Sequence, residues 1–281
     1  MLELTGIGSV LRGLGVLYWL LAIGAVALAI WKGKNKRAKT VWAVVAVAVF
    51  GFLSVKGFIE QAQRDAYARE AWAYFKKLCD EKSGEKIYKT FTGVKGVLVV
   101  KPLPPATEKD LYDQFWYGDP YSDATPWDKR GDTAARRLTG DSRRPDGVIQ
   151  RGLDFVEMKN ESGSGYKRIR RAESHDKNAV REKIEQPVSK FGVTWEDISK
   201  PEDRKYWVAG SRMRVVDLTD NSIVAERIGY LIEAGFGSTA GQRRPWLTAR
   251  GIGPNGRSCP GADDYSDQWF ITKVFKQEME K

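Results

Sequence analysis

Two long apolar runs, with a knot of positive charge between them, dominate the first sixty positions. From Gly13 to Trp31 the chain reads GLGVLYWLLAIGAVALAIW, nineteen residues without a charged side chain. As an α-helix this run would be about 28 Å long, close to the roughly 30 Å hydrocarbon core of a bilayer. A second run, TVWAVVAVAVFGFLSV, covers Thr40 to Val55 and continues past Lys56 to Ile59. Lys56 stands near one end, where its aliphatic stem lets the ammonium reach the headgroups. Between the runs lie Lys32, Lys34, Lys36, Arg37 and Lys39. Short loops rich in Lys and Arg stay in the cytoplasm. The pattern predicts a transmembrane hairpin over 1–60, its basic tip 32–39 cytoplasmic and both termini on the far side. The competing reading is a cleaved signal peptide, with Ala27–Ala29 as the small-residue site. It would export the basic cluster and leave the second run unexplained.

Beyond the hairpin the pattern changes. Over 60–83, Ala68, Trp72, Phe75 and Cys79 recur at helical spacing, which predicts a long helix stopped by Gly84. KIYKTFTGVKGVLVVKP reads as one or two strands, and ATEKDLYDQFWY as a short helix starting near Thr107. From Gly118 to Asp146 aliphatic residues are scarce and Asp, Arg, Gly and Pro frequent, so this stretch is expected to be a long irregular loop. GVIQRGLDFVEMKN and GYKRIRRAE form a strand pair around ESGSG, and Lys177–Ser189 reads as a charged helical piece. Thr194 and Asp197 have the spacing of a capping box. The clearest hairpin runs over YWVAGSRMRVVDLTDNSIVAERIGYLIE, with Trp207, Ala209, Met213 and Val215 on one face. A last element centres on DQWFITKVF. Helices and antiparallel hairpins alternate without a βαβ rhythm, so 61–281, including the leading helix 61–83, is expected to be one α+β domain.

Charge changes the picture little. The formal net charge is +10, but the 60 residues up to Glu60 carry half of it. A mildly basic domain beside a membrane implies no nucleic-acid partner. Cysteine changes it more. Cys79 and Cys259 are the only two, and both fall in the exported part, where a pair close in space would form a disulfide. Two separate buried thiols are the alternative.

Candidate chemistry is thin. His175, the single histidine, sits among charges in RRAESHDKN and reads as a solvated loop residue. GFGSTAG over Gly235–Gly241 could cradle an anion with its backbone N–H groups, aided by Arg243 and Arg244, but lacks the Lys-Ser/Thr of a nucleotide loop. Asp119, Asp123 and Asp128, and Asp263, Asp264 and Asp267, do not match calcium-loop spacing. YKRIRR over Tyr166–Arg171 could meet phosphates or form the basic face of a strand. The residues therefore predict no cofactor, no metal, no small-molecule substrate and no enzyme.

Three segments carry a resemblance: KLCDEKSGEKIYKT (Lys77–Thr90), GVTWEDISKPEDRKYWVAGSRMRVVDL (Gly192–Leu218) and PWLTARGIGPNGRSCP (Pro245–Pro260). Together they resemble a group of bacterial inner-membrane proteins with paired spans and an exported domain. That group accompanies lipase-type effectors of the type VI secretion system as immunity proteins. The resemblance implies a periplasmic domain with a secreted toxin as partner. The expected contacts are Trp127, Arg136, Arg137, Arg143 and Arg144 in the 118–146 loop, chosen by residue type. The rival functions are a structural accessory of an envelope secretion or conjugation machine, a phage-exclusion factor, and an envelope hydrolase. Swapping the hairpin for an unrelated anchor separates binding from assembly through the spans.

Overall fold

The computed structural model describes residues 7–32, 35–101, 105–122, 132–143, 149–160, 163–171, 180–249, 257–260, 266–276 and 279–280. Two compact units emerge, Met1–Arg69 and Glu70–Lys281. The first contains α1 (Ile7–Lys32) and most of α2 (Lys36–Lys82). Both helices are long and apolar enough to cross a membrane. Leu20, Ile23, Trp42 and Phe58 point outward, as lipid-facing side chains would. The helices meet through the Tyr18 hydroxyl, which donates to the carbonyl of Phe50. Their rings lie edge to face with centroids 5.6 Å apart.

The second unit is α+β. A nine-stranded mixed sheet runs in the order β1 (Gly84–Ile87), β10 (Ile223–Ile232), β9 (Val208–Asp217), β8 (Phe191–Asp197), β2 (Gly96–Lys101), β5 (Phe155–Lys159), β6 (Tyr166–Arg170), β7 (Arg181–Ile184). The ninth strand, β11 (Ser258–Cys259), also pairs with β10. A small sheet joins β3 (Ser142–Arg143), β4 (Ile149–Gln150) and β12 (Met279–Glu280). The remaining helices are α3 (Asp132–Thr139), α4 (Pro201–Lys205), α5 (Pro245–Ala249) and α6 (Ser266–Phe275).

Period-2 alternation sorts the two faces of the large sheet. Val97, Val156, Ile169, Val193, Trp195, Met213 and Val215 share one core with Ala135 and Leu138 of α3 and with Phe270, Ile271 and Phe275 of α6. On the opposite face Ala71, Phe75 and Leu78 of α2 pack on Val208, Tyr230 and Ile232. Farther along that face charges take over. Thr194 and Glu196 stand beside Arg214 and Arg212 in register, and Arg214 stands beside Glu226. All are partly exposed, and Arg214 Nε lies 2.8 Å from Glu226.

The hairpin β9–β10 follows the expected alternation, β5 and β6 pair as expected, and α2 ends at Lys82 before Gly84, whose φ of 148° suits glycine. Cys79 and Cys259 are bonded, with Cα atoms 5.7 Å apart. The pairing of β11 with Tyr230 and Leu231 brings Cys259 beside the strand on which α2 rests.

Three expectations change. The stretch 118–146 is not simply a loop, because α3 lies inside it and buries Ala135 and Leu138. The described part of Lys177–Ser189 holds strand β7 rather than a helix. Glu182 there faces Arg168 and Arg170 across the ladder, and these cross-strand pairs override the helical propensity of the charges. Thr194 and Asp197 lie on β8, whose Val193 and Trp195 need the core. The helix start lies farther on, where the Asp203 carboxylate accepts the Lys200 N–H at 2.7 Å. The antiparallel hairpins sit within a mixed sheet, since β2 runs parallel to both β5 and β8.

Candidate partner-binding surface

The segment Glu108–Gly118 is built as a rigid edge that turns aromatic rings outward. Its start is capped reciprocally: the Thr107 N–H donates to Asp110 at 2.6 Å and the Asp110 N–H to the Thr107 hydroxyl at 3.3 Å. This is the start the sequence predicts, although only a 3-10 turn, Asp110–Tyr112, follows. Leu111 plugs a second apolar cluster containing Ala106, Trp207, Trp246 and Ala249. Trp246 of α5 donates its indole N–H to the carbonyl of Asp113 at 2.7 Å. Gln114 Nε2 donates to the carbonyls of Arg204 and Lys205, at 3.0 and 2.9 Å. Arg244 pairs with Glu108 at 2.6 Å.

With Leu111 and Trp116 held inward, Tyr112, Phe115 and Tyr117 are 43, 49 and 68 % exposed. A Cβ on Gly118 would strike the Trp116 ring, so the return after Tyr117 needs glycine. Below the edge the fully buried Arg204 stacks over Trp246 with 4.9 Å to the ring centroid. It also pairs with Asp197 at 2.7 Å and donates to the carbonyl of Gly118 at 2.8 Å. Tyr74 of α2 donates to Asp203 at 2.5 Å. Its phenol is pushed well above the usual range, first by burial and then by that hydrogen bond to an anion. The aromatic edge thus stands on bonded backbone.

The buried carboxylates serve the fold. Asp119 accepts from Ser211. Asp267 takes Arg227 at 2.7 Å and the Trp195 indole at 3.3 Å. Among the described residues no His, Cys, Asp and Glu set stands ready for a metal ion. The glycine-rich loop is a nest for the chain's own anion: Glu233 accepts the N–H of Gly235 at 3.0 Å and of Gly237 at 2.7 Å, and pairs with Arg243. The possible phosphate site is therefore internally filled, and Arg244 is engaged by Glu108. Glu233→Gln should lower stability by about 2 kcal/mol and speed hydrogen exchange at Gly235 and Gly237, because a neutral acceptor replaces a charged one. YKRIRR is likewise a paired face: Arg168 binds Glu157 and Glu182, Arg170 binds Glu182, and Arg171 binds Asp141.

Of the contacts chosen from sequence, Arg136 and Arg137 lie on α3, the first exposed and the second half-buried. Arg143 lies on β3. Trp127, Arg144, His175 and the acids Asp123, Asp128, Asp263 and Asp264 lie outside the described residues, as does Lys34 of the basic tip. Sequence reasoning read DLYDQFWY only as a helix. Its signal is four aromatics within Tyr112–Tyr117 at spacings no single helix or strand face can bury.

Compared with models of protein families, with curated proteins and with solved structures, the chain matches none.

Proposed function

We propose that the chain is a membrane-anchored binding protein of the bacterial envelope, its domain on the periplasmic side of the inner membrane. It inhibits a secreted antibacterial effector of the lipase type by direct binding. The outward row Tyr112, Phe115 and Tyr117 on bonded backbone carries the binding part of this reading. Rigid aromatic anchors contribute most of the energy in protein interfaces, since ordering them costs little entropy. The two apolar helices and the Cys79–Cys259 bond support the placement. The effector class follows from the resemblance of the three segments. An anchor raises the local concentration of inhibitor where a membrane-directed toxin must work.

The test is capture of partners from the source cells on tagged full-length chain in mild detergent. One stoichiometric secreted protein is expected, retained when the hairpin is exchanged for an unrelated two-span anchor. Combining Tyr112→Ala, Phe115→Ala and Tyr117→Ala should weaken it at least about 30-fold while leaving the fold intact, because these rings lie outside the core. A set of membrane proteins lost on hairpin exchange would overturn the reading in favour of a machine component. Hydrolytic turnover by the purified full chain would overturn it in favour of an enzyme.

A further inference from the structure

Between α1 and α2 lies a groove of about 780 Å³, within the range of ligand sites. Its walls are apolar, with Leu28, Val45 and Val49 among them, and the small side chains of Ala25, Ala38 and Ala46 leave it open. Its lining ends at Lys32 and Asn35, which are exposed at the turn of the hairpin. From Gly13 to Ile59 the chain contains no Asp or Glu, so no acid within that stretch neutralises Lys32 or the four other cations of the tip. Trp42 stands at the same end, at the level where indoles favour headgroups.

We propose that this groove binds one anionic phospholipid, an acyl chain lying along Leu28, Val45 and Val49 and the phosphate meeting Lys32 and Asn35. The proposal rests on the reading of α1 and α2 as membrane spans. Charge decides the occupant. Basic pockets between spans attract anionic headgroups, each Lys or Arg near the surface contributing about 1 kcal/mol. A second copy of the chain would set the same five cations against their equals. A zwitterionic lipid fills the apolar walls equally well but brings no net charge to the mouth.

The test uses full-length chain in zwitterionic detergent, offered equal amounts of phosphatidylglycerol and phosphatidylcholine with the same acyl chains and read by native mass spectrometry. Phosphatidylglycerol adducts should dominate. Lys32→Gln should reduce them about fivefold with no loss of fold, since the side chain is exposed. Ala46→Leu should reduce adducts of both lipids by filling the groove. Excess inorganic phosphate should leave phosphatidylglycerol bound. Equal retention of the two lipids, indifference to Lys32→Gln, displacement by phosphate, or dimers that grow as lipid is removed would each overturn the proposal. Alkaline carbonate extraction of the same membranes tests the spans themselves. A chain that resists extraction yet shows no lipid preference loses only the lipid site; one that extracts loses the anchor and the site together.

Discussion

Glu157→Ala is expected to destabilise the domain by about 3–5 kcal/mol, the scale for breaking a buried, hydrogen-bonded ion pair. The Glu157 carboxylate is fully buried on β5 and has five donors. Arg168 gives two bonds, at 3.1 and 2.7 Å, from the neighbouring strand. The Val188 and Ser189 N–H groups and the Ser189 hydroxyl give three more, at 3.0, 2.9 and 2.6 Å, and so tie the chain ahead of β8 to the sheet. Removing the carboxylate leaves those donors without their anion. Burial alone would push its pKa up. The bonds from Ser189, Arg168 and the two backbone groups outweigh burial and hold it below its ordinary 4.5. The stabilisation is therefore present above pH 4.5 and is lost as pH falls through the depressed folded value. Denaturant titrations of full-length protein and of Glu157→Gln should differ most near neutrality and converge in acid. A constant difference across that range would mean the charge is not what matters.

Loss of the Cys79–Cys259 bond should have an effect of similar size. The bond spans 180 positions of sequence, which the chain-entropy model values at roughly 4–5 kcal/mol. For a unit of this size the corresponding fall in Tm is roughly 8–20 °C. It would be read by thermal unfolding of the full chain with and without a phosphine reductant, and checked with Cys79→Ala combined with Cys259→Ala. The local readout is hydrogen exchange at β11, whose hold on β10 is only Cys259 opposite Tyr230 and Ser258 opposite Leu231. An unchanged Tm would show that packing of Phe75 and Leu78 on Tyr230 and Ile232 holds α2 in place alone.

How much could be read from the sequence depends on how local each signal is. The apolar helices, the glycine stop at Gly84 and the β9–β10 alternation arise from neighbours along the chain, and all three stand in the structure. The cysteine pair could be inferred because only one pairing exists. β2 shows the opposite case. GVLVV reads as a buried strand, but its two parallel neighbours begin at Phe155 and Phe191, and no short pattern names them. α3 was hidden because only Ala135 and Leu138 of its eight residues are buried hydrophobics. Glu233 was overlooked beside the glycines, since a carboxylate filling a nest looks from sequence like any acid near a loop.

The position of β2 also governs how the domain comes together. This strand lies in the middle of the sheet, yet neither neighbour exists until the chain has run on to Lys159 and then to Asp197. β1 waits longer still, for β10. Such high contact order makes folding slow, because loop-closure entropy must be met before any central pairing rewards it. A growing chain therefore carries Val97 and Val99 without strand partners until those later segments have been made. A C-terminal truncation that removes β8–β10 takes away the partners of β1 and one flank of β2, so it should yield an aggregating fragment rather than a smaller folded domain.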